Sequence, residues 1–237
     1  GTQVIGARAL PQFWTAPRPA TSFSGGTSVV AGTLASITSD AFGTGPVSID
    51  GANARIRIDA DDLVIANAFA FNAMTVLDTN GFDATLDGAS SGSVLVRKTG
   101  TGTLRWNGAR AHTGMTLIDG GVLRLNDSLA GPVTVAGSGT LAGSATLAGG
   151  LNVLSGGRLR LAIDGGTHDR FVAPTASVSG GTLQLDLIAP APIGSTIELV
   201  DVSGPAAVNG VFANVAEGGF LHDGDTGYRL SYVGGDG

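Results

Sequence analysis

Cysteine is absent from the 237 residues of this chain. Disulfides and thiolate zinc sites are therefore excluded, and the fold must depend on packing and hydrogen bonds. Lysine occurs once, at Lys98, and 17 of the 19 acidic residues are aspartate. Because glutamate and lysine favour helices and aspartate favours turns, this balance predicts few helices. The net charge of −6 and the lack of a Lys/Arg cluster argue against a nucleic-acid partner.

Long hydrophobic runs are also missing. The longest weakly polar stretch, residues 63–77, contains Asn67, Asn72 and Thr75 and is too short to span a bilayer. We therefore predict that this segment is soluble and does not insert directly into a membrane. No charged and then apolar segment opens the chain, so we expect any export signal to have been removed or to lie outside this sequence.

Glycine, in contrast, is abundant, with 39 residues that divide the chain into short alternating runs. In residues 95–126 the runs are separated by Gly or by Gly-polar pairs, which is typical of brief strands joined by tight turns. Between residues 131 and 163 the runs recur every six to eight residues or so, a spacing that suits the three faces of a coil of about 20 residues.

An internal repeat supports a solenoid. The stretch that begins at Ser22 aligns with the stretch that begins at Ala111 without a gap. Five pairs of positions match at this one offset: Phe23 with His112, Gly25 with Gly114, Thr27 with Thr116, Gly32 with Gly121 and Leu34 with Leu123. Self-similarity at constant register is the pattern expected of stacked coils, so we predict an all-β chain organised as a β-solenoid.

The last third of the chain differs in character. Longer runs are predicted as strands at 182–188, 195–202 and 228–233, and more aromatic residues accompany them. Such strands can close the open end of a solenoid, so we predict terminal coils and a β cap over 180–237. The remaining chain is divided into an irregular entry, 1–21, and coils over 22–179, with the two repeats at about 22–49 and 95–135.

The second repeat resembles a known family. Its residues 98–104 read Lys-Thr-Gly-Thr-Gly-Thr-Leu, and residues 113–123 read Thr-Gly-Met-Thr-Leu-Ile-Asp-Gly-Gly-Val-Leu. This pattern is similar to the passenger-associated transport repeat of bacterial autotransporters. The departures are Trp106 for an aliphatic residue, His112 for an aromatic residue and Met115 for a glycine.

The resemblance implies a right-handed, single-stranded parallel β-helix outside a Gram-negative-type cell, either secreted or at the cell surface. It also implies a partner, an outer-membrane β-barrel translocator of the same precursor. Lys98, Arg105 and His112 are interpreted as family-pattern or solvent-face positions rather than as site residues.

Catalytic and metal-binding patterns are weak. Ser90 lies in a Gly-x-Ser-x-Gly sequence, but residues 93–98 read as a strand, whereas the nucleophile elbow requires a helix there. The three histidines, His112, His168 and His222, are too scattered to predict a metal cluster. We therefore predict no catalytic residue, no enzyme activity and no cofactor.

Calcium is the remaining metal hypothesis, because oxygen ligands lie two residues apart in two glycine-bearing loops. The candidate ligands are Asp78, Asn80 and Asp83 in the first loop and Asp223 and Asp225 in the second. The alternative is ordinary turn chemistry. The adjacent pair Asp61 and Asp62 would point to opposite faces of a strand and is interpreted as a turn.

Three functions remain open at this stage. The first is a non-catalytic passenger segment that serves as a structural stalk and as a nucleus for folding and translocation. The second is an adhesin or a self-assembling surface protein whose end coils associate, because an uncapped coil exposes unpaired backbone groups. The third is the C-terminal scaffold of a larger autotransporter enzyme whose catalytic domain is absent from this sequence.

Overall fold

The computed structural model describes residues 3–5, 13–15, 24–204, 207–223 and 226–233, and within them it contains strands and turns but no helix. In chain order the strands are β1 (Gln3–Ile5), β2 (Phe13–Thr15), β3 (Thr27–Val29), β4 (Gly32–Ser36), β5 (Val47–Ile49), β6 (Ala54–Ile58), β7 (Leu63–Ile65), β8 (Phe69–Phe71), β9 (Thr75–Asp78), β10 (Ala84–Leu86), β11 (Ser90–Gly92), β12 (Val96–Thr99), β13 (Thr103–Trp106) and β14 (Thr116–Leu125). They continue with β15 (Ser128–Leu129), β16 (Val133–Gly143), β17 (Ala145–Leu147), β18 (Leu151–Leu154), β19 (Arg158–Asp164), β20 (Thr167–His168), β21 (Phe171–Ala173), β22 (Ala176–Ser179), β23 (Thr182–Ala189), β24 (Val200–Val202), β25 (Asn209–Val211), β26 (Phe220–Asp223) and β27 (Thr226–Arg229).

These strands stack into three faces. Face one contains β1, β3, β5, β8 and β11 and, after two isolated bridges through Arg110, β15, β17, β21 and β24. Face two runs through β2, β4, β6, β9, β12, the first part of β14, the first part of β16, β18, β22 and β25. Face three contains β7, β10, β13, the second parts of β14 and β16, β19 and β23.

Pairing within each face is parallel, and each coil adds one strand to a face. The spacing between paired strands is about 20 residues as far as β18, as expected for repeats of this size. In the last coils it widens, as in the pairs Leu151 with Ala176 and Ser177 with Asn209. The predicted all-β parallel solenoid is confirmed, with about eight turns. Strands β14 and β16 are long because each continues around the corner between faces two and three.

The core is a set of aliphatic columns inside the three faces. Side chains alternate between the interior and solvent along each strand, so every second residue enters the column formed by its neighbours in register. On face two, Ile56, Leu77, Lys98 and Ile118 lie in one such column. On face three, Leu86, Trp106 and Leu125 lie in another.

Parts of the predicted entry segment also belong to the solenoid. Residues 3–5 pair in parallel with β3, and residues 13–15 pair with β4. The first described coil therefore extends into a segment predicted to be irregular, because the unpaired edges of β3 and β4 offer backbone partners even to a chain without alternation. The rest of 1–21 lies outside the described residues.

The C-terminal third is less regular than predicted. The predicted strand at 182–188 is confirmed as β23, but those at 195–202 and 228–233 are wrong in extent and correspond to β24 and β27. Pro190, Pro192 and Gly194, whose φ is 83°, interrupt pairing before β24. Strands β26 and β27 form an antiparallel hairpin.

Tyr232 attaches the chain after this hairpin to the solenoid. Its hydroxyl donates to the carbonyl of Val215 at 2.7 Å and accepts from the amide of Phe212 at 2.9 Å. The predicted domain boundaries, including the cap over 180–237, remain predictions.

Candidate functional site

Lys98 occupies an interior position of face two. In register it lies between Leu77 and Ile118, and only 1% of the residue is exposed. Of the two interpretations, family pattern or solvent face, the solvent-face one is therefore wrong for Lys98. The strand alternation indicates burial, because Val96 and Lys98 are two residues apart and must point to the same side.

The ammonium group of Lys98 lies in a cage of oxygen atoms. Its Nζ donates to Thr79 Oγ1 at 3.0 Å and to the carbonyl oxygens of Thr99 at 3.1 Å and of Gly100, Gly102 and Gly120 at 2.9 Å each. These partners belong to three successive coils. Burial lowers the pKa of Lys98 to about 8. We call this arrangement the Lys98 cage.

Gly121 leaves room for the cage. Its φ is 62°, in the left-handed region. A Cβ atom there would lie 2.4 Å from the carbonyl oxygen of Gly100 and 2.7 Å from Lys98 Nζ. The corner between faces two and three therefore requires glycine at this position for both conformational and steric reasons.

A second buried polar group lies around His112, in the interior between faces one and two. Its Nε2 is 2.9 Å from Thr116 Oγ1 and its Nδ1 is 3.4 Å from Ser90 Oγ. The imidazole stacks on Trp106 with ring centroids 5.2 Å apart. For His112, too, the solvent-face alternative is wrong, because the residue has no exposed surface.

Ser90 and His112 do not form an accessible catalytic pair. Ser90 is only 3% exposed and His112 is 0% exposed, so a substrate cannot reach either side chain in the folded protein. The two groups instead satisfy each other's hydrogen bonds inside the core, as buried polar groups generally must.

His112 gives the fold a defined dependence on acid. Burial and the neighbouring Arg110 lower the pKa of His112 to about 4, whereas an unfolded histidine titrates near its ordinary value of 6.5. As the pH falls through 6.5 the unfolded state takes up a proton that the folded state does not, so folding becomes less favourable. We expect this histidine to account for about 2 kcal/mol of lost unfolding free energy between pH 7 and pH 5.

The measurement is urea unfolding at pH 7, 6 and 5, with His112→Phe as the matched variant because Phe23 occupies the aligned position. This variant should lose a corresponding part of the pH dependence. If the unfolding free energy of the variant fell with pH as steeply as that of the parent, other groups would cause the acid sensitivity.

Arg110 and Asn67 are two further interior polar residues that the sequence reasoning missed. The guanidinium of Arg110 donates to the carbonyl oxygens of Gly88 and Leu86, and it lies 5.6 Å from the Trp106 ring centre. Asn67 Nδ2 donates to the carbonyl oxygens of two glycines of the preceding coil at 2.9 and 2.7 Å. Both side chains connect neighbouring coils at corners where the strands are interrupted.

The candidate calcium ligands of the first loop are engaged in contacts within the protein. Asp78 forms an ion pair with Arg55 at 3.0 Å, and Asn80 Nδ2 donates to Asp59 at 2.9 Å. Asp83 accepts from the amide of Thr103 at 2.7 Å. Among the residues described, no group of three or more His or acidic side chains could hold a metal. Asp225 and the side chain of Asp223 lie outside the described part.

Calcium binding therefore stays a hypothesis with a direct test. Because its candidate ligands are engaged in the first loop, we expect millimolar calcium to leave the melting temperature unchanged relative to magnesium. A calcium-specific increase would indicate a site, since a ligand that binds only the folded state raises its stability. Asp83→Asn should then abolish the increase if the first loop is responsible.

The other candidate residues lie apart from these groups. His168 Nε2 lies 3.0 Å from the carbonyl oxygen of Glu198, and His222 stacks on Phe220. Asp61 and Asp62 lie in a turn, as predicted, and φ of Asp62 is 55°. Arg105 is partly exposed and lies 3.7 Å from Asp83, in agreement with its predicted solvent-face position.

Apart from Thr79 and Ser90, the Lys98 cage and the His112 group lie in a segment that matches a known family. The model of the passenger-associated transport repeat matches residues 20–35 and 96–125. The second match contains Lys98 and the glycines of the cage. The chain carries passenger-associated transport repeats. The recognition of an autotransporter passenger with these repeats is confirmed by this match and by the relative below.

The chain is also similar to a protein named as an autotransporter. It is 31% identical over 195 residues to a protein named adhesin BmaC autotransporter from Brucella suis biovar 1 (strain 1330). The match covers 76% of this chain and 6% of the length of that protein. No solved structure matches the chain.

These relationships support the location that the resemblance implied. A passenger segment of this kind is secreted or lies at the surface of a Gram-negative cell. In the part of the chain that the structure covers, no helix has the length and hydrophobicity needed to cross a membrane.

Proposed function

We propose that this chain is a non-catalytic segment of an autotransporter passenger, in which it serves as a surface stalk and as a nucleus for folding and translocation. The observation that carries the proposal is the Lys98 cage within the second passenger repeat. A stalk requires a rigid, extended core, and the stacked columns of this solenoid provide one. The buried positions of Ser90 and His112 support the absence of catalysis.

The folding role follows from the connectivity of the cage. Thr79 belongs to one coil, Lys98 to the next and Gly120 to the one after it. The ammonium group obtains all of its acceptors only when these three coils are stacked. Coils over residues 75–125 therefore form cooperatively, and such a unit can template the addition of neighbouring coils.

The proposed partner is an outer-membrane β-barrel translocator of the same precursor. The test is to place this chain before such a translocator and to compare the amount of protease-resistant protein on intact cells. Lys98→Met should reduce this amount several-fold, because loss of a cooperative unit exposes the chain to degradation. Arg97→Met, the neighbouring outward-facing change, is the control. Equal display of both variants would contradict the role as a nucleus.

Self-assembly or adhesion is a second candidate, favoured by the edge of the last coil. Strands β24 and β25 each have a described partner on only one side. Val211, in β25, is 47% exposed. Such edges can accept a strand from another chain. Sedimentation at increasing concentration should reveal association if this surface assembles, and a monomer throughout would exclude it.

A further inference from the structure

The end of the solenoid encloses a large apolar chamber. It has a volume of about 810 Å³ and lies between the last coils, the irregular segment 191–199 and the C-terminal hairpin. Aliphatic side chains form its inner wall: Val153, Leu159, Leu183, Leu185, Val200 and Val208. The chamber continues the interior of the solenoid, but here the aliphatic columns do not fill the space.

The size of the chamber distinguishes it from a packing defect. Ligand pockets have volumes of about 300–1,000 Å³ and are mostly apolar. An engineered apolar cavity of about 150 Å³ already binds benzene. Two hydroxyls at the boundary are engaged, because Tyr232 bonds to Val215 and Tyr228 accepts from the amide of Ala191 at 3.0 Å. An aliphatic ligand therefore matches the wall better than a polar one does.

A positive charge at the boundary adds a preference for an anionic ligand. Glu198 pairs with Arg170 at 2.7 Å, but Arg170 also pairs with Asp201, so these three side chains together keep one negative charge. Arg229 also lines the chamber, and its backbone pairs with that of Phe220 in the hairpin. Within the described residues its side chain has no hydrogen bond or ion pair. Its exposed guanidinium is free to bind an anionic group, and carboxylates suit its paired donors.

We propose that this chamber binds a long-chain carboxylate, with the alkyl chain in the aliphatic interior and the carboxylate at Arg229. The binding is reversible and involves no covalent step. The site is separate from the Lys98 cage, and the inference does not depend on the folding role of the passenger repeat.

The test is titration of the purified chain with cis-parinaric acid, a fluorescent long-chain carboxylate, followed by displacement with oleate. We expect saturable binding of one molecule per chain in the micromolar range. Arg229→Gln should weaken oleate about tenfold and leave the neutral analogue oleyl alcohol unaffected. Arg97→Gln, a change of an exposed arginine on face two, is the matched control and should leave both affinities unchanged.

Substitutions that fill the chamber provide an independent test of the proposal. Leu185→Trp and Val208→Phe should each reduce binding at least tenfold, and melting curves identify any variant that fails to fold. Absence of saturable binding would overturn the proposal, as would binding that a folded chamber-filling variant retains. Binding to vesicles of anionic phospholipid without binding of monomeric oleate would also overturn it, because adsorption to a membrane surface does not require the chamber.

Discussion

Lys98→Met should lower the free energy of unfolding by about 3 kcal/mol. Methionine has a similar length and fits beside Leu77 and Ile118, so the aliphatic column stays filled. The loss comes from the oxygen atoms of the cage, which no longer receive the ammonium donor. The carbonyls of Thr99 and Gly102 keep the amides of Thr79 and Val122 as donors, so the cost falls mainly on the other acceptors. Removing a charged donor from such buried acceptors costs more than the mean value of a hydrogen bond. Urea unfolding followed by circular dichroism measures the effect.

Arg97→Met is the control for this prediction. Arg97 is adjacent in sequence but points outward and forms an ion pair with Asp119. Exposed pairs contribute about 0–1 kcal/mol, so this variant should remain close to the parent. If Lys98→Met were as stable as Arg97→Met, the carbonyl oxygens would have to find other donors, and the cage would not stabilise the corner.

Trp106→Ala is the second large change, with an expected loss of about 3–5 kcal/mol. Trp106 is only 1% exposed and fills the column between Leu86 and Leu125. Its ring also contacts the edge of Phe71 at 6.1 Å and stacks on His112. Alanine would remove these contacts and leave a cavity beside a histidine that depends on a packed, dry environment.

Trp106→Phe separates the volume effect from the general loss of an aromatic ring. It keeps a ring beside His112 and should cost less than half as much as alanine. Circular dichroism is the suitable probe, since the substitution removes one of the two tryptophans. Equal losses for phenylalanine and alanine would show that the full indole shape, rather than burial, determines the stability.

The parallel solenoid could be predicted from the sequence because its signals are local and repeated. Glycine-separated runs give the strands, and the constant offset between the stretches at Ser22 and Ala111 gives the stacking. The chain agrees with these expectations wherever each coil repeats the last. The predicted bounds of the C-terminal strands were wrong because Pro190, Pro192 and Gly194 interrupt a hydrophobic run that otherwise has the pattern of a strand.

The partners of the interior polar groups could be identified only from the register of the strands. Lys98, Arg110 and His112 obtain their partners about 20 residues away, from neighbouring coils, and single-sequence patterns do not show such contacts. A lone charged residue is usually solvated, which favours a surface position. The alternation of Val96 and Lys98 along the strand is the one local signal of burial, and here it outweighs the charge.

Hydrogen exchange followed by mass spectrometry tests most directly whether the cage unites three coils. The parent chain should show strong protection over 75–79, 96–102 and 116–120. Lys98→Met should reduce protection in all three segments together, whereas Arg97→Met should leave them unchanged. A loss confined to the segment that contains residue 98, or no loss at all, would contradict the account.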